Sequence, residues 1–123
     1  MPQLKKWIEN ENYKKTFLVK KRDGVSILKI DNICYFQAQG DFVLAIDFND
    51  RKHILNESLT QIEHLLNPSN FFRINRSEII SRISILKYNQ YIKNRLALTL
   101  TDLKITLYTS NSRTPEFRNW IEN

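Results

Sequence analysis

From Thr16 onward, short runs of β-branched, aromatic and aliphatic residues alternate with turn residues at close intervals, which is the pattern of strands and not of long helices. Phe17-Leu18-Val19-Lys20 and Val25 to Ile30 flank Asp23-Gly24, a pair suited to the positive φ of a tight hairpin. Ile33 to Gln39 and Phe42 to Phe48 flank Gly40-Asp41 in the same way. Phe42, Leu44, Ile46 and Phe48 fall on one face of the second run, and that face is predicted to be core. Asn49-Asp50 then turns the chain into Arg51-Lys52-His53-Ile54-Leu55, whose brevity and charge predict an edge strand.

Ser58-Leu59-Thr60-Gln61 has the form of a capping box, and Leu59, Ile62, Leu65 and Leu66 recur at helical spacing until Asn67-Pro68 ends the helix. The stretch from Phe71 to Ile85 shows no clean period and reads as irregular. Leu86 to Ile92 and Leu96 to Leu100 pair across Lys93-Asn94, and Thr101-Asp102 leads into Leu103 to Leu107. Leu96, Leu98 and Leu100, then Leu103, Ile105 and Leu107, are the inward positions of those last two runs. Thr114-Pro115-Glu116 predicts an N-cap followed by proline at the first helical position, with Phe117, Trp120 and Ile121 on one stripe. The reading is all-β with one short middle helix and one C-terminal helix around one core, spanning residues 16–123. Residues 1–15, polar apart from Leu4, Trp7 and Ile8, read as a linker or short N-terminal helix.

Composition narrows the function. At 123 residues the chain is one domain's worth, and no apolar run approaches the roughly 20 residues that cross a bilayer. The start, Met1 to Asn10, lacks a signal peptide's apolar segment, so a soluble cytoplasmic protein with no membrane partner is expected. A lone cysteine, Cys34, excludes an internal disulfide and a cysteine-based zinc site. The net charge of +6 favours polyanionic partners, and it is unevenly placed. Residues 1–40 carry eight Lys/Arg against four Asp/Glu, residues 41–70 two against five, and residues 71–123 nine against four.

Candidates for catalysis are few. Cys34 sits inside a strand pattern and reads as a small packed residue, His53 and His64 as surface or half-buried side chains. With two isolated histidines and only Gly24 and Gly40, there is neither a metal cluster nor a glycine-rich phosphate loop, so no enzyme, metal or cofactor is expected. The informative segments are basic. Phe71 to Arg82 sets apolar anchors between Arg73, Asn75, Arg76, Ser77 and Arg82. Arginine's planar fork can donate twice to guanine O6 and N7, whereas a hydroxyl suits a phosphate oxygen. The plainer reading is a solvated connection whose arginines pair with carboxylates such as Glu78. Tyr108 to Arg113, with Asn111 and Ser112, is the second such place, at a helix entrance.

Taken in order, Ile30 to Phe42, the helix Ser58 to Ile62, Phe72-Arg73-Ile74-Asn75-Arg76-Ser77 and Ser112-Arg113 resemble the LytTR-type DNA-binding domain from about Thr16 to Ile121. That domain is the output module of LytR/AlgR-type bacterial response regulators in two-component systems. The resemblance implies an elongated stack of small, mostly antiparallel sheets that reads double-stranded DNA with strand-connecting loops and regulates transcription. It implies base reading by Arg76 and Arg113, a third contact loop at Asp41, Phe42 and Val43, and supporting or phosphate contacts from Ser77 and Arg73. It also implies paired direct repeats as the target and a homodimer on DNA, in a stand-alone regulator or an excised C-terminal domain. Asn75 stands where histidine is common in that family, Glu78 where tyrosine is common, and Gln37 where an acid is common. The competing reading is a single-stranded nucleic-acid or RNA-binding β-domain using Tyr35, Phe36, Phe42, Tyr88 and Tyr91 as stacking faces.

Overall fold

The computed structural model describes residues 12–101 and 104–123. The expected linker or helix at residues 1–15 therefore lies almost wholly outside the described residues, as does Leu103. Ten strands form three antiparallel sheets. β1 (Thr16–Lys21) and β2 (Gly24–Lys29) make a hairpin sheet of their own. β3 (Ile33–Gln39), β4 (Phe42–Asp47), β5 (Lys52–Leu55), β6 (Phe71–Asn75) and β7 (Glu78–Ser81) form the central sheet in the order β5-β4-β3-β7-β6. β8 (Ile85–Gln90), β9 (Leu96–Leu100) and β10 (Thr106–Tyr108) form the third. Helices α1 (Leu59–Leu65) and α2 (Thr114–Glu122) complete the fold. Among the described residues no helix is long and apolar enough to cross a membrane.

The central sheet is covered on both faces, and this overturns the expectation of one core. Phe17, Val19, Leu28, Val43, Ala45, Ile62 and Ile79 gather under the β1–β2 hairpin and α1. Ile46, Ile74, Ile80, Leu96, Leu98, Leu100 and Phe117 gather on the other side, against the third sheet and α2. A strand buried on both faces loses its period of two, so Ile33, Cys34, Tyr35 and Phe36 are buried in succession. For the same reason the predicted core face of β4 is only half right. Ile46 is buried and Leu44 and Phe48 are partly so, but Val43 and Ala45 fill the opposite core while Phe42 is 40% exposed at the strand's start.

The stretch read as irregular is in fact the β6–β7 hairpin followed by a 3-10 turn at Arg82–Ser84. Its doubled apolar pairs, Phe71-Phe72 and Ile79-Ile80, hide the alternation because each member serves a different layer. Other local signals act as expected. The Ser58 hydroxyl accepts from Gln61 N at 3.1 Å and the Gln61 side chain accepts from Ser58 N at 2.8 Å. Gly40 takes φ 57 at the first central position of the β3–β4 turn. Thr114, however, is no cap. Arg113 occupies the N-cap position without a side-chain cap bond, and Thr114 is buried.

Candidate nucleic-acid interface

Antiparallel pairing decides which loops meet. Gln37 pairs with Glu78, and Ala38 N donates to Ser77 O at 2.8 Å, so the β3–β4 turn and the β6–β7 turn leave the central sheet at the same end. The segment between β10 and α2 joins them there. Ser110 N donates to Ile74 O at 2.8 Å, and Asn75 Nδ2 donates to Tyr108 O at 2.8 Å. The chain enters at the opposite end, where Tyr13, Lys14 and Lys15 line a hollow with Ile30, Asp31 and Phe71.

At the shared end the candidate residues divide into exposed groups and supports. Arg76 and Ser77 are exposed at the tip of the β6–β7 turn, and the Arg76 guanidinium has no hydrogen-bond or ion-pair partner among the described residues. Arg73 holds that tip from below. Its Nη2 donates to Arg76 O at 2.7 Å, and its Nη1 donates to Thr60 Oγ1 at 3.0 Å and to Glu63 Oε1 at 3.1 Å on α1. Its Nε is buried without a partner. Arg113 is tied to the same strand. Its Nε donates to Arg73 O at 3.0 Å, its guanidinium lies 4.6 Å from the centre of the Phe72 ring, and its Nη1 donates to Glu116 Oε2 at 2.6 Å. Arg76 and Arg113 thus occupy one end of the molecule, both anchored on Arg73.

Asn75 is internally saturated. Both amide hydrogens are donated, to Glu78 Oε1 at 3.0 Å and to Tyr108 O, while Oδ1 accepts from Ser77 N at 2.8 Å. Glu78 receives its second bond from Gln37 Nε2 at 2.8 Å. Two neutral amides therefore satisfy this carboxylate, and no arginine among the described residues pairs with it. Tyr35 nearby has its phenol pKa raised, first by burial and then by the Glu78 charge. Arg82 faces away, donating to Ser69 O, Trp120 O and Ile121 O and stacking 4.1 Å from the Trp120 ring centre, so it closes the carbonyl end of α2.

Asp41 and Phe42 are exposed at the β3–β4 turn, and Asn111 and Ser112 are exposed beside Arg113. Val43 is corrected. At 2% exposure its side chain belongs to the core under the hairpin and has no reach to a groove. A fourth segment was missed by sequence reasoning. Lys93, at φ 54, and Arg95 bracket the β8–β9 loop, and Arg95 donates Nε to Thr109 O at 3.0 Å while its guanidinium lies over the Tyr91 and Tyr108 rings. The Lys93-Asn94 pair gave the turn but not its neighbourhood, because only β9–β10 pairing brings it beside Tyr108. The stacking faces needed for a single-stranded ligand are mostly inside: Tyr35 and Phe36 are buried, Tyr88 packs on Phe117, and Tyr91 stacks on Tyr108 with ring centres 4.5 Å apart.

Cys34 is fully buried, and His53 is engaged with Asp47 at 2.9 Å. No group of three or more metal-ligating side chains occurs among the described residues. The model of the LytTr DNA-binding domain family matches residues 23–122. Among solved structures, the LytTr DNA-binding domain of a protein described as a methyl-accepting/DNA response regulator from Bacillus cereus superposes with a TM-score of 0.80 at 20% identity, covering 89% of this chain and 99% of that one. A comparison with curated proteins gives no match. The family match spans every strand from β3 onward, both helices and every loop at the shared end, and the chain belongs to the LytTR family of DNA-binding domains.

Proposed function

We propose that this domain binds double-stranded DNA sequence-specifically through its strand-connecting loops, as the DNA-reading part of a bacterial transcriptional regulator in the cytoplasm. Arg76 and Arg113 donate to base edges, and Arg73 and Asn75 fix the distance between them. Ser77, Asn111, Ser112 and the Asp41-Phe42 turn lie close to the backbone of the duplex, with Lys93 and Arg95 extending the phosphate track. The target is a pair of direct repeats, occupied by two copies that associate on DNA, in a response regulator's output domain or a stand-alone regulator.

The observation carrying this reading is the double tie of both arginines to Arg73: one guanidinium bonded to its carbonyl, the other's carbonyl bonded to its guanidinium. A held guanidinium at Arg113 and a fixed backbone at Arg76 lose less freedom on binding than a mobile loop, so such anchoring favours base reading over loose phosphate attraction. The exposed Arg76 fork suits guanine O6 and N7. Selection of binding sites from a random duplex library supplies the cognate sequence. On it, Arg76→Ala and Arg113→Ala are each expected to weaken binding by about 1 to 3 kcal/mol, with preference relaxed at one base pair apiece. Equal loss on cognate and random duplex would reduce both to phosphate anchors.

A further inference from the structure

We infer that Glu116 determines specificity together with Arg113, the two acting as one composite reader; this rests on the DNA-binding reading above. Arg113 has five N–H donors. Nε is committed to Arg73 O and one hydrogen of Nη1 to Glu116 Oε2, at 3.0 and 2.6 Å. The three remaining N–H groups sit at the Nη end, so the guanidinium offers a base its tip and not its Nε edge. Phe72 beneath the ring plane, 4.6 Å from its centre, keeps the fork from folding back. A guanidinium buttressed on two sides has fewer orientations to lose when it meets guanine O6 and N7.

Glu116 does two further things. It is 61% exposed in the first turn of α2, three residues from Arg113, so it stands at the same surface as the fork it holds. A carboxylate there can accept from an exocyclic amino group in the major groove, for which cytosine N4 is the usual partner of an acid. It also repels phosphate oxygens, so any contact in which Arg113 merely meets a phosphate must either break the pair or bring two anions together. The pair is therefore selective in both directions. It rewards a guanine with a neighbouring N4 amino group, and it penalises backbone-only binding. A helix N-terminus also favours an acid on electrostatic grounds, but that role is indifferent to base sequence.

The test uses the whole domain and three duplexes in an anisotropy titration: the selected cognate site, the same site with the base pair beside the Arg113-dependent guanine inverted, and a random duplex. The guanine is the position whose preference Arg113→Ala abolishes. Glu116→Gln keeps the side chain's shape and a carbonyl acceptor while removing the charge. It is expected to bind random duplex several-fold more tightly without gaining on the cognate, and to tolerate the inverted pair, so that discrimination falls about tenfold. Glu116→Ala should lose the same discrimination and also loosen Arg113. If Glu116→Gln shifts all three duplexes by one factor, the composite reader is wrong and the carboxylate acts only through helix stability or bulk charge. If the unaltered domain itself fails to distinguish cognate from random duplex, sequence-specific binding falls, and this inference falls with it.

Discussion

Asp47 is buried at the end of β4, with His53 as its only ion-pair partner among the described residues. Its Oδ1 accepts from Asn49 N and Arg51 N, each at 2.9 Å, and Oδ2 meets His53 Nε2 at 2.9 Å. Burial pushes the carboxyl's pKa up, but the bonds from His53, Arg51 and Asn49 outweigh it and hold the value below the usual carboxylate range. A depressed folded-state pKa stabilises the native state above the unfolded value of about 3.9, and that contribution vanishes as pH falls through the folded value. Asp47→Asn is therefore expected to destabilise the domain by about 1 to 3 kcal/mol at neutral pH, read by urea unfolding. The gap to the parent protein should narrow as the pH drops below about 4. A gap that stays constant into strong acid would show that the charge is irrelevant. At the end of the sheet where the β3–β4 and β6–β7 turns meet, Gln37, Asn75 and Glu78 show a related economy. Gln37 and Asn75 each donate to one oxygen of Glu78, so the three side chains form one network. Neutral amides satisfy the carboxylate, which leaves the Arg76 guanidinium unpaired.

At the level of elements, the loop between β10 and α2 owes its shape to a relay of three hydrogen bonds through two hydroxyls. Leu96 N donates to Thr109 Oγ1 at 2.9 Å, Thr109 shares a 2.7 Å bond with Thr114 Oγ1, and Thr114 Oγ1 donates to Ser110 O at 2.9 Å. Because Thr114's hydrogen is spent on Ser110, Thr109 must be the donor between the two hydroxyls. Thr109 and Thr114 are buried, so replacing Thr109 with valine strands Leu96 N without its side-chain acceptor and removes the bond that Thr114 Oγ1 accepts. We expect Thr109→Val to cost about 1 to 3 kcal/mol in stability and to weaken cognate binding through Arg113, although residue 109 is itself buried. Unchanged affinity at full folding would show that the loop is held by other means. The relay also shows where sequence reading stops. Thr114-Pro115 reads as a cap because proline favours the first helical turn, and the helix does start there. Only the tertiary partner at Thr109, five residues back, turns that threonine inward. Strands with one wet face, such as β5, and the capping box at Ser58 follow from local chemistry alone. The doubled apolar pairs of β6 and β7 do not, since a strand between two cores carries no period to find. Arg76 and Arg113 were legible as candidates from residue type and position, whereas the inward turn of Val43 and the saturation of Asn75 depend on contacts made across sheets.

For the whole molecule, position separates the cations that net charge adds together. Among the C-terminal arginines, Arg82 is held on the carbonyls of Ser69 and α2, away from the β6–β7 turn, and Arg73 is spent on Glu63 and Arg76 O beneath that turn, so neither is placed to meet a duplex. Arg76, Lys93, Arg95 and Arg113 remain at the reading end. Lys14, Lys15 and Lys21 line hollows at the opposite end, beside Asp31 and Asp47 respectively. Each phosphate neutralised releases condensed counterions, so log affinity against log salt falls by about 0.9 per contact. If geometry governs binding, Lys93→Ala and Arg95→Ala, on the proposed phosphate track, should each flatten that slope by about one unit, while Lys21→Ala leaves it unchanged despite removing the same formal charge. Titrations of the cognate duplex over a range of salt measure this directly. A domain whose slope responded to Lys21→Ala as strongly as to Lys93→Ala would be attracting DNA by total charge and not by one face. The division of the molecule into a reading end and an entry end would then have no bearing on how it binds.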